Sequence, residues 1–184
     1  MLNAPSATKQ AANAHWRSWW RAQEGHWTID TSIADAPAIL PTRTDPAPDF
    51  DIRDLNGQQI TLAGQRGHVT LLNFWGTWCP PCLEELPDLI QLDRTYRARR
   101  LDIIGVALQL PGSGNLSDWC RAHQVGYRVA IAPDKVLDDY GDISQVPVSV
   151  LIDASGRIRY RWEGPRDYVT FSAAVERLLK ESNS

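Results

Sequence analysis

"NFWGTWCPPC", residues 73–82, decides the reading of this chain. It sets two of only three cysteines two residues apart, behind two tryptophans and around two prolines. Sulfurs at this spacing serve a metal, a structural crosslink or a redox centre, and the flanking residues must choose among them. Upstream, Val69 to Trp75 is a nearly continuous apolar run bounded by Gly67 and Gly76, the pattern of a central strand buried on both faces. Downstream, residues 80–96 read as a helix with Leu83, Leu86, Leu89, Ile90 and Tyr96 available for an inner face, and with Pro87 expected to kink it. Cys79 therefore falls at a helix N-terminus, where free backbone amides and the positive end of the dipole stabilise a thiolate. Such a place lowers a cysteine pKa from ~8.5 into roughly the 3.5–7.5 range. Pro80 suits the first helical turn, where its missing N–H is not needed. Cys82 lies three residues on, within sulfur–sulfur reach, and is expected to be less exposed than Cys79.

Outward from this point the chain alternates short elements. Phe50–Leu55 and Gln59–Leu62 flank Asn56-Gly57, a strong hairpin signal. After the cysteine helix come a strand at 101–108, a helix at 116–124, a strand at 127–132 and a helix at 134–140. Pro147 precedes the strand "VSVLID", the turn Asp153–Gly156 leads to a hairpin strand at 157–162, and 168–181 form a closing helix. Strands alternating with helices, then a hairpin and a last helix, predict an α/β sandwich with a mixed sheet. Residues 1–46 stand apart as an extension. Its small polar start predicts disorder, and Trp16, Trp19, Trp20 and Gln23 share one face of a short helix. Four prolines between Asp35 and Pro48 predict an extended connector. Residues 47–184 form the folded domain.

The 184 residues suffice for one domain with a sizeable core, and a net charge of −3 argues against a nucleic-acid partner held by bulk charge. Three cysteines are too few for a disulfide scaffold. The start "MLNAPSATKQAANA" lacks the basic flank and apolar run of a secretory signal. No stretch approaches the ~18 apolar residues of a membrane span.

The segment "LLNFWGTWCPPCLEELPDL" resembles the active-site segment of thioredoxin-fold proteins, and most closely that of the TlpA/ResA-like thiol-disulfide oxidoreductases of the bacterial cell envelope. The resemblance runs over about residues 47–181. It includes the entry "APDFDIRDLNGQQITL" and the ending "VPVSVLIDASGRIRYRWEG". It implies a thioredoxin-like three-layer α/β/α sandwich with an added N-terminal β-hairpin. It implies Cys79 as attacking cysteine, Cys82 as resolving cysteine, and Trp78 as the aromatic that shields the pair. Pro147 matches the family's cis-proline facing the disulfide, and Val146 the residue that pairs with the substrate backbone. Glu85 matches the acidic residue of the CxxCxxExP pattern, placed to exchange protons. The implied partners are protein dithiols and disulfides and an upstream redox partner, with no cofactor or metal, in the periplasm or another extracytoplasmic space. Three positions depart from the wider pattern. Asn73 stands where ordinary thioredoxins have a buried aspartate, Gln145 where a glycine is usual before the cis-proline, and Val148 where threonine or glutamate follows it.

Other readings stand beside this one. Cys120-Arg-Ala-His123 would complete a four-ligand zinc set with Cys79 and Cys82, as in a non-catalytic binding module. More simply, Cys120 is a half-buried spectator and His123 a surface residue. A thiol peroxidase on the same fold would need a single cysteine in a PxxxTxxC setting, whereas Cys79 lies within "GTWC". The tryptophan-rich segment offers a contact with the domain, a partner or a membrane surface.

Overall fold

The computed structural model describes residues 45–109, 112 and 114–182. The expected disordered start, tryptophan helix and most of the connector lie outside the described residues. No described helix is long and apolar enough to cross a membrane.

The apolar run ahead of the cysteines organises the domain. It forms β3 (Val69–Trp75), with all seven residues buried. The helix α1 (Pro80–Tyr96) follows, then β4 (Leu101–Ala107), α2 (Leu116–Ala122), β5 (Arg128–Ile131) and α3 (Asp134–Asp139). The chain ends with β6 (Val148–Ile152), β7 (Ile158–Glu163) and α4 (Tyr168–Glu181). The five-stranded sheet has the order β5-β4-β3-β6-β7. β3 runs parallel to β4 and antiparallel to β6, and β4 is parallel to β5, so the sheet is mixed. A strand flanked on both edges and covered on both faces has no polar side to show, which is why its sequence does not alternate.

Register decides what each face meets. Asn73 pairs with Ser149, and Ser149 with Trp162, so these three side chains share one face. Helices α1, α2 and α4 cover it: Asn73 bonds Glu85 of α1, Trp75 packs on Trp119 of α2, and Trp162 meets Phe171 of α4 edge-on at 5.4 Å. On the opposite face Phe74 packs against Tyr140 at the end of α3, and Tyr140 against Phe50. The result is the α/β/α sandwich that the resemblance implies.

The two sheet edges are closed differently. β1 (Asp51–Arg53) and β2 (Gln59–Thr61) form the expected hairpin. The Asp54 carboxylate accepts from the Asn56 and Gln58 amides, and Gly57 takes φ +80°. This hairpin reaches β5 through a bridge from Asp54 to Ala130. At the other edge Pro46 bridges Arg157, with Ala47 N donating to Gly156 O at 2.9 Å.

Helix α1 differs from expectation in one respect. Cys82, Glu85, Leu86, Leu89, Leu92, Asp93 and Tyr96 are its buried stripe, but Leu83 is 38% exposed. Leu83 stands about 100° around the axis from Cys82, which carries it off that stripe to the surface beside the cysteines. The helix runs through Pro87 without interruption.

Phe171 is fully buried between α4 and the sheet. Phe171→Ala is expected to cost about 3–5 kcal/mol in urea unfolding. A loss below about 1 kcal/mol would mean that α4 is not packed as described.

Candidate active site

The site begins where β3 ends. Gly76 breaks the strand, Cys79 N donates to Gly76 O at 3.1 Å, and the chain turns into α1. Cys79 is the N-cap residue, with extended backbone (φ −101°, ψ 104°). Pro80 and Pro81 take the first two helical positions and offer no N–H. The first amide of the helix is therefore that of Cys82, and it is shared between the Cys79 carbonyl oxygen at 3.1 Å and the Cys79 sulfur at 3.3 Å. Helix and sulfur are arranged as a thiolate at position 79 requires.

The two cysteines are joined as a disulfide, with their Cα atoms 5.3 Å apart. In this oxidised form the exposures depart from expectation: Cys79 is 0% exposed and Cys82 4%. In the closed ring the Cys79 sulfur faces inward and lies 3.4 Å from the Val146 carbonyl oxygen. The accessible sulfur expected from the sequence is thus absent from this state, and exchange at Cys79 needs the cover over the disulfide to move. The Val146–Pro147 peptide is cis, and both residues are buried. Trp78 is 37% exposed, and its indole N–H donates to Leu108 O at 3.0 Å. Its ring lies over Gly76, where an added Cβ would come within 2.7 Å of it. The structure thus sets Cys79, Cys82, Val146 and Pro147 together, with Trp78 folded back over the strand–helix turn.

Glu85 lies on the same face of α1 as Cys82, three residues on, and is 3% exposed. Its Oε1 accepts from Asn73 Nδ2 at 2.9 Å, and its Oε2 accepts from the Arg166 amide at 3.0 Å. Asn73 Nδ2 also donates to Ser149 Oγ at 3.0 Å. Burial is the dominant influence and pushes the carboxyl up from 4.5 to about 8, against the opposing pull of Arg166 and Ser149.

Two members of this network were missed in the sequence. Ser149 carried a signal: it and Asn73 are polar residues in otherwise apolar strands, and the register sets them opposite each other. Arg166 gave none, because its contribution is made mainly by the backbone.

Cys120 is buried on α2 and unbonded, and burial pushes its thiol up to about 11. His123 stacks on Trp119 with ring centroids 3.7 Å apart. Among the described residues no three His, Cys, Asp or Glu side chains gather as metal ligands would.

Fold and site together define a thioredoxin-like domain with a CPPC disulfide at a helix N-terminus. The AhpC/TSA family model matches residues 44–161, and the chain belongs to that family. It is 34% identical over 114 residues to the thiol-disulfide oxidoreductase ResA of Geobacillus thermodenitrificans, covering 61% of this chain and 64% of that protein. It is 30% identical over 114 residues to ResA of Bacillus subtilis, with 61% of this chain and 62% of that protein covered. The alignments thus span less than two thirds of those relatives' length. Among solved structures, a thioredoxin-family thiol:disulfide interchange protein from Chlorobium tepidum matches with a TM-score of 0.68 and 29% identity. That match covers 76% of this chain and 99% of the other.

Two expectations follow from the geometry. Gly76→Ala would drive the Trp78 ring off the turn, and reduction of the Cys79–Cys82 disulfide by a small dithiol is expected to accelerate several-fold. An unchanged rate would show that Trp78 does not control access. The second concerns pH. The folded state binds the Glu85 proton more tightly than the unfolded chain, so its stabilising contribution is complete below about 4.5 and lost as pH rises towards about 8. Unfolding free energies of the parent and of Glu85→Gln, measured from pH 5 to 8, should diverge with a limiting slope of about 1.4 kcal/mol per pH unit. Parallel curves would mean that Glu85 ionises normally.

Proposed function

We propose that this domain is a protein thiol-disulfide oxidoreductase, acting as a reductant of protein disulfides outside the cytoplasm. The observation that carries the reading is the Cys79–Cys82 disulfide closed over a helix N-terminus beside a cis Val146–Pro147 peptide. The names of the similar proteins, thiol-disulfide oxidoreductase and thiol:disulfide interchange protein, support it. The proposed setting is a periplasm or similar oxidising space, where a disulfide-bonded client persists long enough to need a reductant.

The reaction starts from the reduced pair. The Cys79 thiolate, stabilised by the Cys82 amide and the helix dipole, attacks one sulfur of a client disulfide. A mixed disulfide forms between Cys79 and that sulfur, and the other client sulfur leaves as a thiolate and takes up a proton. Cys82 then loses its proton and attacks Cys79. The Cys79–Cys82 disulfide closes and the second client thiolate is released. The client gains two electrons and the pair loses two, which an upstream dithiol protein restores.

Glu85 handles protons in this reading. An ordinary carboxyl is almost wholly ionised near neutrality and cannot supply a proton. One held at about 8 populates both forms and can take the Cys82 proton and return it. Trp78 forms the client-facing rim, and Val146 is buried against the Cys79 sulfur. The Val146 carbonyl accepts from a client backbone amide once the client displaces it from the Cys79 sulfur.

A disulfide-bonded protein substrate with a dithiol reductant tests the reading. Cys79→Ser is expected to abolish turnover, and Cys82→Ser to accumulate reductant-sensitive mixed disulfides with the substrate. Full activity of Cys79→Ser would overturn the mechanism. Peroxide-dependent consumption of the dithiol at rates above those with the protein substrate would favour a thiol peroxidase instead.

A further inference from the structure

The strap between β7 and α4, residues Gly164–Asp167, touches two parts of the site at once. Gly164 N donates to Pro147 O at 2.9 Å, with Gly164 at φ +84°. Two residues on, the Arg166 amide donates to Glu85 Oε2 at 3.0 Å. Asp167 then caps α4 by accepting from Thr170 N at 2.8 Å. The strap is thus held at both ends, and the Arg166 N–H has little freedom to leave the carboxylate.

The Arg166 side chain is also confined. Its Nη1 donates to Pro165 O at 2.7 Å and reaches Gly164 O at 3.4 Å, so the guanidinium curls over its own strap and stays half-buried. Its charge acts on Glu85 in the direction that favours the carboxylate. The other ionisable groups near Glu85 do not help. Asp88, one turn along α1, opposes ionisation. Tyr127, just ahead of β5, carries a buried hydroxyl that burial keeps protonated. Asn73 of β3 and Ser149 of β6 are neutral. The two cysteines are locked in the disulfide.

We propose that Arg166 is the positioning residue for Glu85: its main-chain N–H fixes one carboxylate oxygen, and its guanidinium, folded back on Pro165 O, keeps a positive charge near that oxygen. Its effect on turnover rests on the reading of Glu85 as the proton-handling group. The strap ties that group to the carbonyl of the cis-proline, so the surface that receives a client and the proton store share one four-residue connection. The backbone bond survives any side-chain change except to proline. Side-chain variants therefore isolate the charge from the hydrogen bond.

The test is a carbon-13 carboxyl NMR titration of Glu85 in the oxidised protein, which needs no turnover. Arg166→Lys keeps the charge and should leave the midpoint close to that of the parent. Arg166→Ala should raise it by about half a pH unit or more, and Arg166→Glu further still. Arg166→Gln, neutral and close in length, repeats the alanine arm if alanine loosens the strap. The pH profile of disulfide reduction should move the same way. Coincident midpoints in all variants would overturn the role of the Arg166 charge, even with turnover intact and dependent on Cys79. Shifted midpoints in a protein without reductase activity would sustain it while removing the proposed function.

Discussion

Everything at the site depends on one hydrogen-bond constraint. A helix opens with amides that its own turns cannot satisfy, and here two prolines remove the first two. The remaining donor, at Cys82, is divided between the carbonyl oxygen and the sulfur of the one capping residue, Cys79. The helix cannot start elsewhere, because Gly76 ends β3 and Cys79 caps α1. The buried strand sets where the helix begins, and the helix start fixes what the sulfur meets.

The second constraint is the carboxyl beneath. Burying Glu85 is costly for its charged form, and the structure offsets that cost with Asn73, Ser149 and the strap at Arg166 rather than with a buried ion pair. The outcome is a group near balance between its two forms around neutral pH. Asn73 is central to this. An aspartate at that position would set a second carboxyl against the first and push one of them further towards the neutral form. The amide instead donates to both Glu85 and Ser149, which makes one proton-bearing group where two acids would compete.

Much of this is legible in the residues. β3 and α1 announce themselves through an uninterrupted apolar run and a 3.6-residue stripe, and the structure gives Val69–Trp75 and Pro80–Tyr96. The closing helix falls at Tyr168–Glu181, where Phe171, Val175, Leu178 and Leu179 align. The disulfide-facing cis-proline came from resemblance, since nothing local marks a proline as cis. Two things could not be read. The burial of Cys79 depends on how the Val146 carbonyl sits over a closed ring, which is tertiary information. The Arg166 contact is made by a backbone N–H that every residue but proline possesses, so residue identity carries no trace of it. Leu83 was misplaced for a third reason: at the edge of an apolar stripe, about 100° of rotation separates core from surface.

The proposed chemistry depends on the state of the sulfur at position 79 once the ring is opened. Its ionisation is measured most directly by the ultraviolet absorbance of the thiolate in the reduced protein, followed against pH with Cys82 replaced by serine and Cys120 by alanine. A midpoint well below the ordinary value, in roughly the 3.5–7.5 range, is what the helix N-terminus predicts. A midpoint at or above about 8.5 would contradict it, because the helix would then give the sulfur no advantage over a free cysteine.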